Sequence, residues 1–133
     1  RHTRYIGDWS SDVCSSDLAA LGPGQGRTGA SELKRAFQAR EEQPSHVVAQ
    51  SQTEARALAQ AAFAARARGF VRVEGVCEGN PNLRVGTHVA LKDVSPRFDN
   101  TYYVTACEHR WDVARGFETA FSAECAYFGT PAT

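Results

Sequence analysis

The spacing of hydrophobic residues changes at Gly69, from a helical period to a strand period. Before it, Ala55, Leu58, Ala59, Ala62 and Phe63 recur at intervals of three and four, so they predict one apolar stripe on a helix from Gln52 to Arg68. Ser51 is a good N-cap and Glu54 completes a capping box. Gly69 offers a left-handed stop, and Arg66 and Arg68 suit the negative end of the helix dipole. Alanines dominate the stripe, so the helix is expected to lie close on a sheet, anchored by Leu58 and Phe63. Further upstream, residues 19–29 read AALGPGQGRTG and predict a loop. Ser31 is the expected cap of a short helix ending at Arg40, with Leu33, Ala36 and Phe37 on one face. Pro44 breaks the following segment.

After Gly69 the residues alternate. Residues 70–76 form a first expected strand, with Val71 and Val73 on one side and Arg72 and Glu74 on the other. Residues 78–82 (EGNPN) form a turn, residues 87–92 a second strand with Val89 and Leu91 inward, and residues 92–100 a loop containing Pro96. Residues 101–111 and 117–128 are long third and fourth strands joined by a hairpin turn over residues 112–116. A turn centred near Ala114 pairs Cys107 with Phe121 and Thr105 with Ala123. One face then carries Tyr103, Cys107, Trp111, Phe117, Phe121 and Tyr127; the other carries Glu108, Arg110, Glu118, Ser122 and Glu124. A slip of one residue would mix these faces, so the pattern sets the register.

Composition narrows the function classes. The chain has 133 residues, enough for one modest domain, and its formal charge is +0 from 15 basic and 15 acidic residues. Neutrality gives no electrostatic reason to expect nucleic acid or an anionic membrane as partner. No apolar run reaches the roughly 20 residues of a bilayer span. No basic-then-apolar leader opens the sequence, so no signal peptide is expected. Cys14, Cys77, Cys107 and Cys125 form no CxxC pair and fit neither a zinc site nor a disulfide framework, so reduced thiols are expected.

Residues 1–18 (RHTRYIGDWSSDVCSSDL) follow neither period. Their run DWSSDVCSSDL resembles the conceptual translation of a sequencing-library adapter. The segment is therefore read as an artefact outside the fold, and Trp9 and Cys14 are given no role. Without it, and so without Arg1, Arg4, Asp8, Asp12 and Asp17, the remainder stays close to neutral. The expected organisation is then 19–50 as loop and short helix, 51–129 as helix plus antiparallel sheet, and 130–133 as a tail.

Candidate chemistry centres on His109. Cys107 and His109 share a strand face, so a thiol–imidazole pair is conceivable. Strand neighbours two apart stand about 7 Å from each other at Cα, however, which is loose for catalysis. No third group is apparent to orient the ring, and a structural histidine near Trp111 is the expectation. A metal site from His88, Asp93 and His109 would need the fold to gather scattered ligands. Glu108, Glu118 and Glu124 could act as paired carboxylates, but a solvated or subunit-contact face is the plainer reading. GPGQG lacks the Gly-Lys-Ser/Thr ending of a phosphate loop. Cys77, Cys107 and Cys125 are expected to act as small buried hydrophobes. No catalytic, cofactor-binding or metal-binding residue is assigned.

The segment from Gly75 to Gly129 carries a resemblance. Gly79, Pro81, Leu83, Gly86, Val89 and Leu91 form a turn leading into a Val-x-Leu strand; Phe98, Tyr102 or Tyr103, Val104 and His109 follow, and then Phe117, Thr119 and Phe121. Order and spacing are similar to the phage late control protein D family, which includes the hub part of the type VI secretion spike protein (VgrG). The resemblance covers about residues 26–129. It implies an α+β fold, with an alanine-rich helix packed on a mainly antiparallel, β-barrel-like sheet, as a fragment of a tube-like hub domain. Gly79, Pro81 and Gly86 would fix turns, and Val89, Leu91, Tyr103 and Phe121 would fill the barrel interior.

The implied role is structural and not enzymatic. It is that of a baseplate hub connecting tube and spike in a contractile phage tail or a type VI-like injection apparatus. The implied partners are two further copies in a homotrimer, the tail tube protein, the spike protein and other baseplate proteins. Synthesis in the bacterial cytoplasm, assembly at the tail tip and the absence of a cofactor go with it. Most of the family's N-terminal hub and its spike repeats have no counterpart here, so the chain is expected to be a fragment. Edge strands are then expected to expose apolar residues among Phe70, Tyr102, Val104 and Phe128. The rival readings are a tail-associated cell-wall hydrolase and a barrel that binds oligosaccharide or single-stranded nucleic acid. The first needs a concave site with perturbed carboxylates. The second needs exposed aromatics along a basic groove.

Deleting residues 1–18 should leave thermal stability unchanged. A loss larger than about 1 kcal/mol on thermal melting would show that the segment packs and would contradict its reading as an artefact.

Overall fold

The computed structural model of the chain describes residues 21–38 and 48–129. The segment 1–18, the helix end at Arg40, the break at Pro44 and the tail 130–133 lie outside the described residues. The chain runs β1 (Arg27–Thr28), α1 (Gly29–Ala36), α2 (Gln52–Arg68), β2 (Val71–Glu78), β3 (His88–Leu91), β4 (Asn100–Asp112), β5 (Gly116–Cys125) and β6 (Tyr127–Phe128). This is an α+β arrangement of helices and antiparallel strands. The larger sheet has the order β2-β5-β4-β3 and curls into a half-barrel.

The helix signals hold in part. Ser51 caps α2 and its side chain accepts from the Glu54 amide at 3.2 Å. The Glu54 carboxylate accepts from the Gln50 amide at 2.8 Å, one residue before the cap. Gly69 is not left-handed: its φ is −78°, and its amide closes a tight turn on the Arg66 carbonyl, which sends the chain directly into β2. The half-buried stripe is Ala55, Ala59, Phe63 and Ala67, narrower than expected. Leu58 stays 39% exposed and does not anchor the helix, whose C-terminal end meets the sheet. There Arg68 lies 4.8 Å over the Tyr103 ring and 3.9 Å from Glu124. α1 is capped by Thr28 rather than Ser31: the Thr28 hydroxyl accepts from the Ser31 amide, and Leu33 and Phe37 are exposed.

The hairpin of β4 and β5 is the centre of the sheet. Cys107 pairs with Phe121 as the pattern required, and the pairing continues to Asp112 opposite Gly116. The Asp112 carboxylate accepts from the amides of Ala114 and Arg115, and Gly116 takes φ +79°. Thr105 does not pair with Ala123, because a bulge lies between Val104 and Ala106 and Val104 takes that position. An extra residue reverses the alternation on one side of a bulge. Tyr102 and Val104 therefore join Cys107 and His109 on the inner face, and both are fully buried. Tyr103 turns to the outer face, so it does not fill the interior. The same shift removes Tyr102 and Val104 from the expected exposed set. Of that set Phe70 is 40% exposed and Phe128 is half-buried.

The core contains Val71, Leu83, Tyr102, Val104, Phe121, Ala123 and Cys125, with Val89 and Leu91 of β3 packed against it. The Tyr102 hydroxyl donates to the Phe98 carbonyl at 2.7 Å, which satisfies its one polar atom. The fourth strand ends at Cys125. Tyr127 and Phe128 leave it to pair with Arg27 and Thr28, inside the segment expected to be loop. That loop is held by backbone-like bonds: the Asn100 side chain accepts from the Gln25 amide and donates to the Gln25 carbonyl. Phe128 packs edge-on against Phe70 and Phe98.

Burial pushes the thiol of Cys125 and the phenol of Tyr102 above their ordinary values of 9.0 and 10.0. Both groups are neutral below those values, so their contribution to stability is complete there. It is lost as pH rises, because the unfolded chain ionises first. Thermal melting should show stability falling above about pH 9, and Cys125→Ala should move that onset upward. An unchanged onset would mean that Cys125 is not responsible.

Candidate functional site

Most of the motif residues form the turn over residues 79–86 or line the inner face of the half-barrel beside it. The Gly79 amide donates to the Phe117 carbonyl at 2.7 Å. A side chain at Gly79 would collide with the Phe117 ring, so the close approach requires glycine. Arg84 Nε donates to the Pro81 carbonyl, and the Thr87 hydroxyl donates to the Arg84 carbonyl. Gly86, at φ +88°, donates to the Val104 carbonyl. These bonds place Leu83 over the sheet, 7% exposed. Val89, Leu91, Val104, Phe117, Thr119 and Phe121 lie on this inner face, Phe98 stands at its other end, and Tyr103 alone is on the opposite side.

His109 is exposed beside the turn and has the third group that sequence reasoning did not identify. Its Nδ1 is 2.9 Å from the Thr119 hydroxyl, and its Nε2 is 3.6 Å from Cys107 Sγ. Thr119 lies directly opposite His109, so the Cys107–Phe121 register already contained this neighbour. Thr119 Oγ1 also accepts from the Asn80 amide at 3.0 Å. Cys107 Sγ in turn donates to the Leu83 carbonyl at 3.1 Å. The chain of donors thus runs from the Asn80 amide through Thr119, His109 and Cys107 to the Leu83 carbonyl. It begins and ends on the same turn. The Cys107 thiol is thus bonded to a backbone carbonyl as well as facing the imidazole. The His109 ring also lies against Phe117, with centroids 5.8 Å apart.

The other candidates are spread out. Glu108 forms a forked pair with Arg110 at 2.8 and 2.7 Å, and those bonds hold its carboxyl below the usual carboxylate range. A general acid needs a shift in the opposite direction. Glu124 pairs with Arg72 at 3.2 Å and lies near Arg68. Among the described residues no three His, Cys, Asp or Glu side chains gather as a metal-binding group, so His88, Asp93 and His109 are not brought together. Cys125 is buried, whereas Cys77 and Cys107 are half-buried and take part in hydrogen bonds. A cleft of about 300 Å³ lies between α2 and the sheet, lined by Arg68, His88, Tyr103 and Glu124 among others. Its polar groups face one another: Arg68 contacts Glu124 and Tyr103, and the His88 ring packs edge-on against Tyr103.

Compared with known proteins, the chain matches no family model, no curated protein and no solved structure.

Thr119→Val keeps the shape but removes the hydroxyl, leaving the Asn80 amide and His109 Nδ1 without that partner. It should cost about 1–3 kcal/mol in denaturant unfolding. In a His109→Ala background the same change should cost measurably less, because the two residues belong to one network. Additive costs would show that the donor chain does not exist.

Proposed function

We propose that this chain is a structural part of the hub of a contractile phage tail or tail-like injection apparatus, joining tube and spike. The observation that carries the proposal is the ordered series Gly79, Pro81, Leu83, Gly86, Val89, Leu91, Phe98, Tyr103, Val104, His109, Phe117, Thr119 and Phe121, which resembles the late control protein D pattern, although Tyr103 lies on the outer face. What supports a structural role is the work these side chains do. They fix a turn, fill an inner face or link the two through hydrogen bonds, and the thiol–imidazole pair is tied up in that linkage. On this reading the chain is not an enzyme and needs no cofactor. Its parent is a homotrimer at the tail tip that contacts tube, spike and other baseplate proteins, and it is made in the bacterial cytoplasm.

Three observations test this. The intact reading frame that contains the chain should lie among genes for sheath, tube and baseplate proteins, and its purified product should run as a trimer in light scattering. A product that stays monomeric at micromolar concentration would defeat the hub reading. His109→Gln in that product should leave assembly intact; loss of an activity in a folded trimer would point to chemistry instead.

A further inference from the structure

The outer edge of β2 pairs with no strand among the described residues. It is eight residues long and contains no proline, so its free amides and carbonyls are open to strand addition. Its outward side chains read Arg72, Glu74, Val76 and Glu78, and its inward ones Val71, Val73, Gly75 and Cys77. The Arg72 side chain is 74% exposed and Val76 is 66% exposed.

We infer that this edge pairs with itself: β2 of a second copy adds antiparallel, centred on Gly75, and makes a two-fold dimer with one continuous sheet. Charge selects both the occupant and the register. In a self-pair centred on residue 75, Arg72 stands opposite Glu78 of the second copy, and symmetry supplies the same pair again. Glu74 then faces Val76, and Val73 faces Cys77 on the inner side. A centre at 74 sets Glu74 against itself, and a centre at 76 sets Glu74 against Glu78. Both are like-charge contacts of the kind that destabilise a sheet. A centre at 73 opposes Arg72 and Glu74 but leaves residues 76–78 unpaired. Gly75 at the centre brings no side chain to the axis. The inference does not rest on the hub reading, because it concerns an edge of this chain as it stands.

The test is sedimentation of the full chain and of its charge variants. The unaltered chain should form a dimer in the micromolar range. Arg72→Glu and Glu78→Arg each oppose like charges across the axis twice, and each should weaken the dimer by roughly tenfold or more. Mixed together, the two variants set a carboxylate against a guanidinium at both contacts between positions 72 and 78, so a heterodimer should form at near the original strength. A monomeric unaltered chain, an association that neither variant weakens, or a mixture that does not recover would each overturn the inference. If Arg72→Glu fails to fold beside Glu124, Arg72→Gln and Glu78→Gln replace the pair. Each should then weaken the dimer, and an unchanged dimer overturns the proposal.

Discussion

The pairing of β4 with β5, with its single bulge at Thr105, sets the position of nearly everything else. β2 is registered on β5 and β3 on β4, so an error in the hairpin would spread across the sheet. The bulge decides which face of β4 is apolar at each end. Beyond it, Cys107 and His109 face inward; before it, Tyr102 and Val104 do. An uninterrupted ladder would instead send Tyr103 and Thr105 inward and leave Tyr102 and Val104 outside. The two tyrosines offset one another, so the difference is that the bulge buries Val104 where the uninterrupted ladder would bury the hydroxyl of Thr105. The chain therefore accepts the irregularity. Tyr103, displaced to the other face, becomes the platform on which Arg68 fixes the end of α2.

The donor chain through Thr119, His109 and Cys107 complements that arrangement at the opposite end of the sheet. The ladder of β3 on β4 stops at His88 opposite Tyr103, so beyond that point no β3 residue flanks the hairpin on that side. The turn over residues 79–86 closes the inner face there, and a turn has few apolar side chains with which to hold itself down. Hydrogen bonds do this instead. Each is worth only about 1 kcal/mol net, but leaving any one group unpaired costs more than that. The three side chains act together, since the ring bonded to Thr119 is positioned by it to meet the sulfur. A cysteine and a histidine two residues apart resemble a catalytic pair in sequence. Here the Cys107 thiol also donates to the Leu83 carbonyl, so it is bonded to the turn as well as to the ring.

What could be read from the sequence follows how local the cause is. Helix α2 was legible because its cap and its period lie within its own residues. The Cys107–Phe121 register was legible because a tight turn and two alternating flanks determine it. The bulge was not: the run TYYVTAC suits a strand at every position, and nothing local separates Tyr102 from Tyr103. β1 was hidden for a different reason. Its partner β6 lies at the far end of the described chain and its bonds are to backbone, so a glycine-rich stretch gave only a loop signal. The left-handed stop expected at Gly69 failed because the immediate entry into β2 favoured a tight turn with ordinary φ. Of the candidate site, His109 and Cys107 were visible. Thr119 could have been assigned from the register, and Asn80 could not, because it acts through its amide.

The hairpin tip is where large apolar side chains are among the least covered of the described residues. β2 accompanies β5 only as far as Glu78 opposite Glu118, so the hairpin runs on as a two-stranded ribbon past both neighbours. There Trp111 is 73% exposed and Val113 90% exposed. An isolated two-stranded ribbon is marginal in water, and an uncovered tryptophan gains nothing from folding. Phe117 is the exception, because Gly79 allows its ring to lie against the turn backbone. The tip is therefore fastened at its base by Gly79 and the donor chain and left bare beyond them. In the proposed hub, neighbouring subunits would bury what the chain itself does not. On that proposal the fastening at the base would hold an apolar tip in a fixed direction, so that a partner would meet a pre-organised surface and would not have to order one.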